Sequence, residues 1–271
     1  FNSPYKADNC GNFWKRWHMS LSSWLKDYLY IPMGGNRGGS IFSYVSLSLI
    51  VLFIYLLSGS LALLFGILSV IFLTLLFGEI FPRFNKWYLT NINIMLTMLI
   101  GGLWHGASWN FVLWGGLNGL GIIIYKLWKN VSPWKNKSNW ANKILGIIIT
   151  FNFVTFTRIW FRSGSINSWD QMDESHNILS EWFTANEILN QLFFNFQWSL
   201  IGDVISVYSN VFVVIVIGFL IHFIPEKWKF WYREKFSKSS IFIQLIVCFS
   251  AIFIMYQIAS TSLQPFIYFQ F

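Results

Sequence analysis

The chain has four histidines, and two of them sit where an imidazole could move a proton. His105 lies in Gly101-Gly102-Leu103-Trp104-His105-Gly106, between a short apolar segment, Asn91–Leu103, and a longer one at about 107–125. This placement predicts membrane depth, where ionisable groups are costly and point to function. Burial disfavours the imidazolium, so the ring is expected to be neutral and able to accept a proton. Gly101, Gly102 and Gly106 remove side-chain bulk and allow a substrate or another backbone close to it. A histidine satisfied structurally is the competing reading. His18 sits at the edge of an aromatic stripe and could serve chemistry or simply hydrogen-bond a headgroup.

Other chemistries find little support. His222 lies three residues before Pro225, near the end of an apolar run, and His176 stands among acids. Neither has metal-ligand spacing, and there is no His-Glu-x-x-His. No Gly-x-Ser-x-Gly nucleophile elbow occurs. The run Gly34-Gly35-Asn36-Arg37-Gly38-Gly39 lacks the Lys-Ser/Thr sequel of a phosphate-binding loop. Cys10 and Cys248 are too isolated for a disulfide framework.

The elements that must hold these residues are membrane helices. Of the residues 55% are hydrophobic and only 11% charged, against about 25% charged in an ordinary soluble domain. Mean hydropathy is +0.51. A soluble enzyme, a nucleic-acid binder and a disordered scaffold are excluded on that ground. The net charge of +8 is better read as loop anchors facing anionic headgroups than as a nucleic-acid footprint.

Spanning stretches fall at about 41–58, 60–78, 107–125, 144–161, 208–224 and 241–259. With the short Asn91–Leu103 segment, read as broken or re-entrant, they predict an all-α polytopic bundle of six to seven spans. The chain 1–271 reads as a single membrane domain. Its first residue is Phe1, which suggests a piece of a longer protein.

The connections 126–143 and 226–238 are basic, whereas 162–207 holds six acids and Arg162 as its one Lys or Arg. The basic connections are therefore expected in the cytoplasm and the acidic one outside. Within the outer one, Ile188–Trp198 predicts a short interfacial helix or a surface cap.

Before the first span, Trp14, Trp17, Leu21, Trp24 and Tyr28 recur at three- and four-residue steps. They predict one amphipathic helix over 13–28, lying in the cytoplasmic interface. The Gly-rich run after Pro32 ends it.

Phe13-Trp14-Lys15-Arg16-Trp17-His18-Met19-Ser20-Leu21-Ser22, continuing through Asp27 to Gly34-Gly35-Asn36-Arg37, resembles the signature of membrane-bound O-acyltransferases of the alginate O-acetyltransferase type. Gly101–Ala107 resembles that family's second signature, and Thr155–Arg162 and Pro265–Phe271 also look like the subgroup. Several expectations follow from the resemblance. The fold would be a multi-pass bundle around a tunnel in the bacterial cell membrane. His105 would be catalytic and His18 a second functional residue, with Trp104, Trp17, Arg16 and Asp27 contacting substrate. No cofactor would be bound; acetyl-CoA or another acetyl thioester would be the co-substrate. Partners would be an exported polysaccharide, extracytoplasmic acetyltransferase proteins and membrane lipids. Relatives are longer, so the chain would be their C-terminal portion.

With that reaction, His105 would take the hydroxyl proton as an acyl group passes to a sugar, help worth about 10²–10⁴-fold. A transporter or polysaccharide-export component without catalysis is the alternative, because broken helices and buried polar groups also mark transport sites. A purely structural anchor would leave both histidine motifs unexplained.

Overall fold

A computed structural model describes residues 1–106, 108–133, 139–165 and 178–258. Every regular element among them is helical: α1 Cys10–Arg16, α2 Met19–Leu25, α3 Ile41–Ser58, α4 Leu61–Ile80, α5 Pro82–Leu103, α6 Trp109–Val131, α7 Trp140–Ser165, α8 Ile178–Phe193, α9 Ile201–Val207, α10 Ser209–Phe223, α11 Glu226–Ser237 and α12 Ile241–Ile258. They group into two compact units, Phe1–Asn195 and Phe196 onward.

Local chemistry sets the boundaries. Asn9 caps α1 by accepting the Asn12 amide at 2.8 Å, and Ser108 caps α6 through the Asn110 amide at 3.1 Å. Pro82 starts α5, where its missing N–H costs nothing. Gly59, at φ 60°, closes α3 with its amide on the Tyr55 carbonyl, a left-handed C-terminal residue that glycine adopts without strain.

Among the described residues α6 and α7 are long and apolar enough to cross a membrane. In the second unit α9 and α10 form a pair bent by 86°, and α11 and α12 one bent by 120°, giving up to four spans if each pair counts once. The sequence pattern predicts six or seven. α3 and α4, helices of 18 and 20 residues, include the described apolar stretches Ile41–Leu52 and Leu64–Leu73.

The segment Asn91–Leu103 is not a separate re-entrant piece but the second half of a continuous 22-residue helix. Its first half escapes a hydropathy reading because Pro82–Thr90 carries Arg83, Asn85, Lys86 and Thr90. The interfacial helix expected at 188–198 is also displaced, since α8 ends at Phe193. His176 and the 265–271 segment lie outside the described residues.

The largest departure is at the N-terminus. The amphipathic helix expected over 13–28 is two helices broken at Trp17-His18, and it packs into the first unit instead of lying flat. Asp8 meets Gly146 of α7, where an added Cβ would fall 2.6 Å from the Asp8 carbonyl oxygen. Cys10 meets Gly121 of α6, Trp14 stacks edge-on against Trp114 at 5.6 Å, and Arg158 lies 4.3 Å over the Trp17 ring. From Gly146 to Arg158 this descent covers roughly 18 Å of α7. The chain then climbs α5, with Leu25 against Gly101 and Gly39 against Leu89. The aromatic stripe is split accordingly: Phe13 is buried beside Trp14 and Trp17, whereas Trp24 and Tyr28 are exposed.

Asn93 of α5 fixes the Gly-rich turn. Fully buried, its Nδ2 donates to the Met33 carbonyl at 2.8 Å and the Gly38 carbonyl at 2.9 Å, and Ser43 Oγ donates to its Oδ1 at 3.0 Å. Removing one partner leaves buried polar groups unsatisfied, at about 1–3 kcal/mol each. Asn93→Ala is expected to lower the melting temperature of the full-length protein in detergent, with Asn93→Asp no rescue because a carboxylate cannot donate to those carbonyls.

Candidate active site

His105 lies in the turn joining α5 to α6, outside both helices, at the end of α6 opposite Lys126 and Lys129. Its amide donates to the Gly102 carbonyl at 3.0 Å, which tightens the turn. Four aromatic rings surround the imidazole: Trp104 and Phe161 at 5.0 Å, Trp114 at 5.2 Å and Phe111 at 6.1 Å. Burial, and secondarily the charge of His18, push its pKa below the ordinary 6.5. Burial thus favours the neutral ring over the imidazolium.

The glycines around it have a different role from open access. A Cβ on Gly102 would lie 2.3 Å from the Phe111 carbonyl oxygen, and one on Gly106 would lie 2.8 Å from the Phe111 ring. They admit a neighbouring backbone and ring, the second of the two possibilities read from the sequence.

His18 occupies the break between α1 and α2. It is in the left-handed region, φ 40° and ψ 59°, and caps α2 by accepting the Leu21 amide on Nδ1 at 3.3 Å. That bond assigns the proton of the neutral ring to Nε2. A non-glycine residue held there stores about 1–3 kcal/mol, and such strain clusters at functional sites. The descent of α1 brings His18 within electrostatic range of His105, though the two are 87 positions apart in sequence.

The other expected site residues divide. Trp104 packs on His105 and is 44% exposed, leaving part of its face open. Trp17 stacks on Phe13 and carries the Arg158 guanidinium. Arg16 is tied away, donating to Asn12 Oδ1 at 3.1 Å and to the Asn2 carbonyl at 3.2 Å. Asp27 is exposed and pairs with Lys26 at 3.7 Å, with no described contact to either histidine. Phe161, Trp114 and Arg158 build the site as much as these do. Of these, the sequence marks Phe161 and Arg158 through the Thr155–Arg162 stretch; nothing local marks Trp114.

No family model matches the chain. Curated proteins do. Peptidoglycan O-acetyltransferase of Helicobacter pylori is 32% identical over 168 residues, 62% of this chain and 23% of that protein. The probable alginate O-acetylase AlgI of Pseudomonas aeruginosa is 30% identical over 183 residues, 67% and 25% of the two chains. The chain is a homologue of the membrane-bound O-acyltransferases. Teichoic acid D-alanyltransferase of Streptococcus thermophilus extends the relationship at 25% identity over 178 residues, 62% of this chain and 33% of that one. The chain spans about a quarter of the length of the O-acetyltransferases it matches.

Proposed function

We propose that this chain carries the two-histidine centre of a multi-pass, cell-membrane O-acyltransferase. It moves an acetyl group from a cytoplasmic thioester, acetyl-CoA or a related donor, to hydroxyls of an exported cell-surface polysaccharide. What supports the reading is the inward fold of the N-terminal segment, which packs Trp14, four residues before His18, on Trp114, one of the rings around His105. The two similar O-acetyltransferases, named for peptidoglycan and alginate, support a polysaccharide acceptor.

In the proposed step the acceptor oxygen attacks the thioester carbonyl while His105 takes the hydroxyl proton. The carbon–sulfur bond breaks, and the leaving thiolate takes up the proton from the His105 imidazolium, which returns the ring to its neutral form. A neutral imidazole suits this role because it accepts the proton as attack proceeds. His18 positions donor or acceptor through its Nε2–H, and Trp104 offers an exposed face for a sugar. Residues 1–271 act as part of one acyltransferase domain, working with extracytoplasmic partner proteins.

The test is acetate incorporation by membranes carrying the full-length protein, given donor with a labelled acetyl group. Label is expected to enter the polymer in proportion to donor. Polymer export that continues without donor, with no label incorporated, would instead favour the transport reading.

A further inference from the structure

Away from the histidines, a cavity of about 680 Å³ opens between α6, α7 and the start of the N-terminal segment. Its walls run from Gly121 to Ser132 on α6 and from Asn142 to Phe153 on α7, roughly 16 Å of each helix. One end is polar and basic, with Lys129, Lys143, Ser132 and Asn142; the deep end is closed by Phe153 and Cys10. Ile124, Trp128, Leu145 and Ile149 line it and are exposed to between 43% and 60%. Because α6 and α7 are long and apolar enough to cross a membrane, an occupant of that apolar rim would enter sideways from the bilayer.

Among the described residues no ion pair engages Lys129 or Lys143. The carboxylate in the lining, Asp8, accepts from the side-chain amides of Asn9 at 2.7 Å and Asn12 at 3.0 Å. The two lysines thus outnumber the one carboxylate of the lining, and neither is paired with it, so the basic end keeps a net positive charge above a hydrocarbon-lined slot. We propose that this groove is a binding site for an anionic phospholipid, its phosphate held by Lys129 and Lys143 and one acyl chain laid along Ile149 toward Phe153. Basic pockets between membrane helices take such headgroups for the same reason. The site does not depend on the acyltransferase reading.

The test uses the full-length protein in detergent micelles and native mass spectrometry. Phosphatidylglycerol is compared with phosphatidylcholine of identical chains, and with inorganic phosphate alone. Phosphatidylglycerol is expected to bind at least tenfold more tightly than phosphatidylcholine. The K129Q/K143Q variant is expected to lose about thirtyfold in phosphatidylglycerol affinity, each near-surface charge contributing about fivefold. L145W/I149W keeps both charges, fills the slot and should also lose binding. Equal affinity for the two lipids in the unmodified protein overturns the proposal whatever the variants do. Wild-type binding by both variants overturns it too, as does phosphate alone competing as well as phosphatidylglycerol, which would assign the lysines to a soluble anion.

Discussion

Replacing His105 with glutamine in the full-length protein is expected to lower acetyl transfer by about 10²–10⁴-fold, the share that general-base help supplies. Glutamine is the better probe than alanine. The imidazole fills a space between Trp104, Phe111, Trp114 and Phe161, and truncation there adds a cavity cost to any loss of chemistry. Labelled acetate in polymer, normalised to protein in the membrane, is the readout. Unchanged incorporation at normal membrane levels would remove His105 from the reaction. The pH profile gives a second readout with a definite sign. Burial lowers the folded pKa of His105 below 6.5, so the neutral base persists as pH falls past the ordinary histidine range and is lost only below it. The acid limb of the rate is therefore expected below pH 6.5, where an exposed histidine base would already be half protonated.

How much of this arrangement can be read from the sequence depends on whether the signal is local. His105 is visible because an ionisable residue in a glycine-rich break between apolar segments is anomalous by itself. The partners that enclose it are not: Trp114 and Phe161 are ordinary aromatics in apolar helices, and only the fold of α6 and α7 selects them. The N-terminal helix is misread for a related reason. Spacing of Trp14, Trp17, Leu21 and Trp24 fits one continuous face, and nothing in Trp17-His18 announces a left-handed residue, since such positions usually carry glycine. Tertiary contacts, Arg158 on Trp17 and Trp114 on Trp14, take those rings inward where an interface would have held them. In α5 the error runs the other way. Arg83, Asn85 and Lys86 cut the apparent apolar stretch off at Asn91, yet the helix begins at Pro82, and Asn93 inside the stretch faces protein and is satisfied there by the Met33 and Gly38 carbonyls. A hydropathy window scores side-chain type, whereas a bundle scores which partner each side chain meets.

Gly102→Ala is expected to disrupt the protein far more than its size suggests. Gly102 of α5 and Gly115 of α6 face each other across the hairpin that carries His105 in its turn. A Cβ at Gly102 would stand 2.3 Å from the Phe111 carbonyl oxygen and 3.3 Å from the Gly115 Cα, while one at Gly115 would stand 2.3 Å from the Met98 carbonyl oxygen. Both obstacles are backbone, so no rotamer change relieves them and the helices must move apart. Small residues permit this close approach in membrane helix pairs, where contact and dispersion replace the hydrophobic drive. Overpacking a fitted interface costs about 1–3 kcal/mol, and rigid backbone on both sides places this case at the upper end. Gly116→Ala is the control: its Cβ would meet only Leu99 Cδ2 at 3.4 Å, an ordinary contact, and alanine favours the helix by about 1 kcal/mol over glycine. Melting temperature in detergent should fall for Gly102→Ala and hold or rise for Gly116→Ala. Acetyl transfer should follow the same order, because separating α5 from α6 opens the turn and moves His105 relative to Phe161 and Trp114. Equal stability of the two variants would mean that the hairpin is not packed backbone to backbone, and the placement of the His105 turn would fall with it.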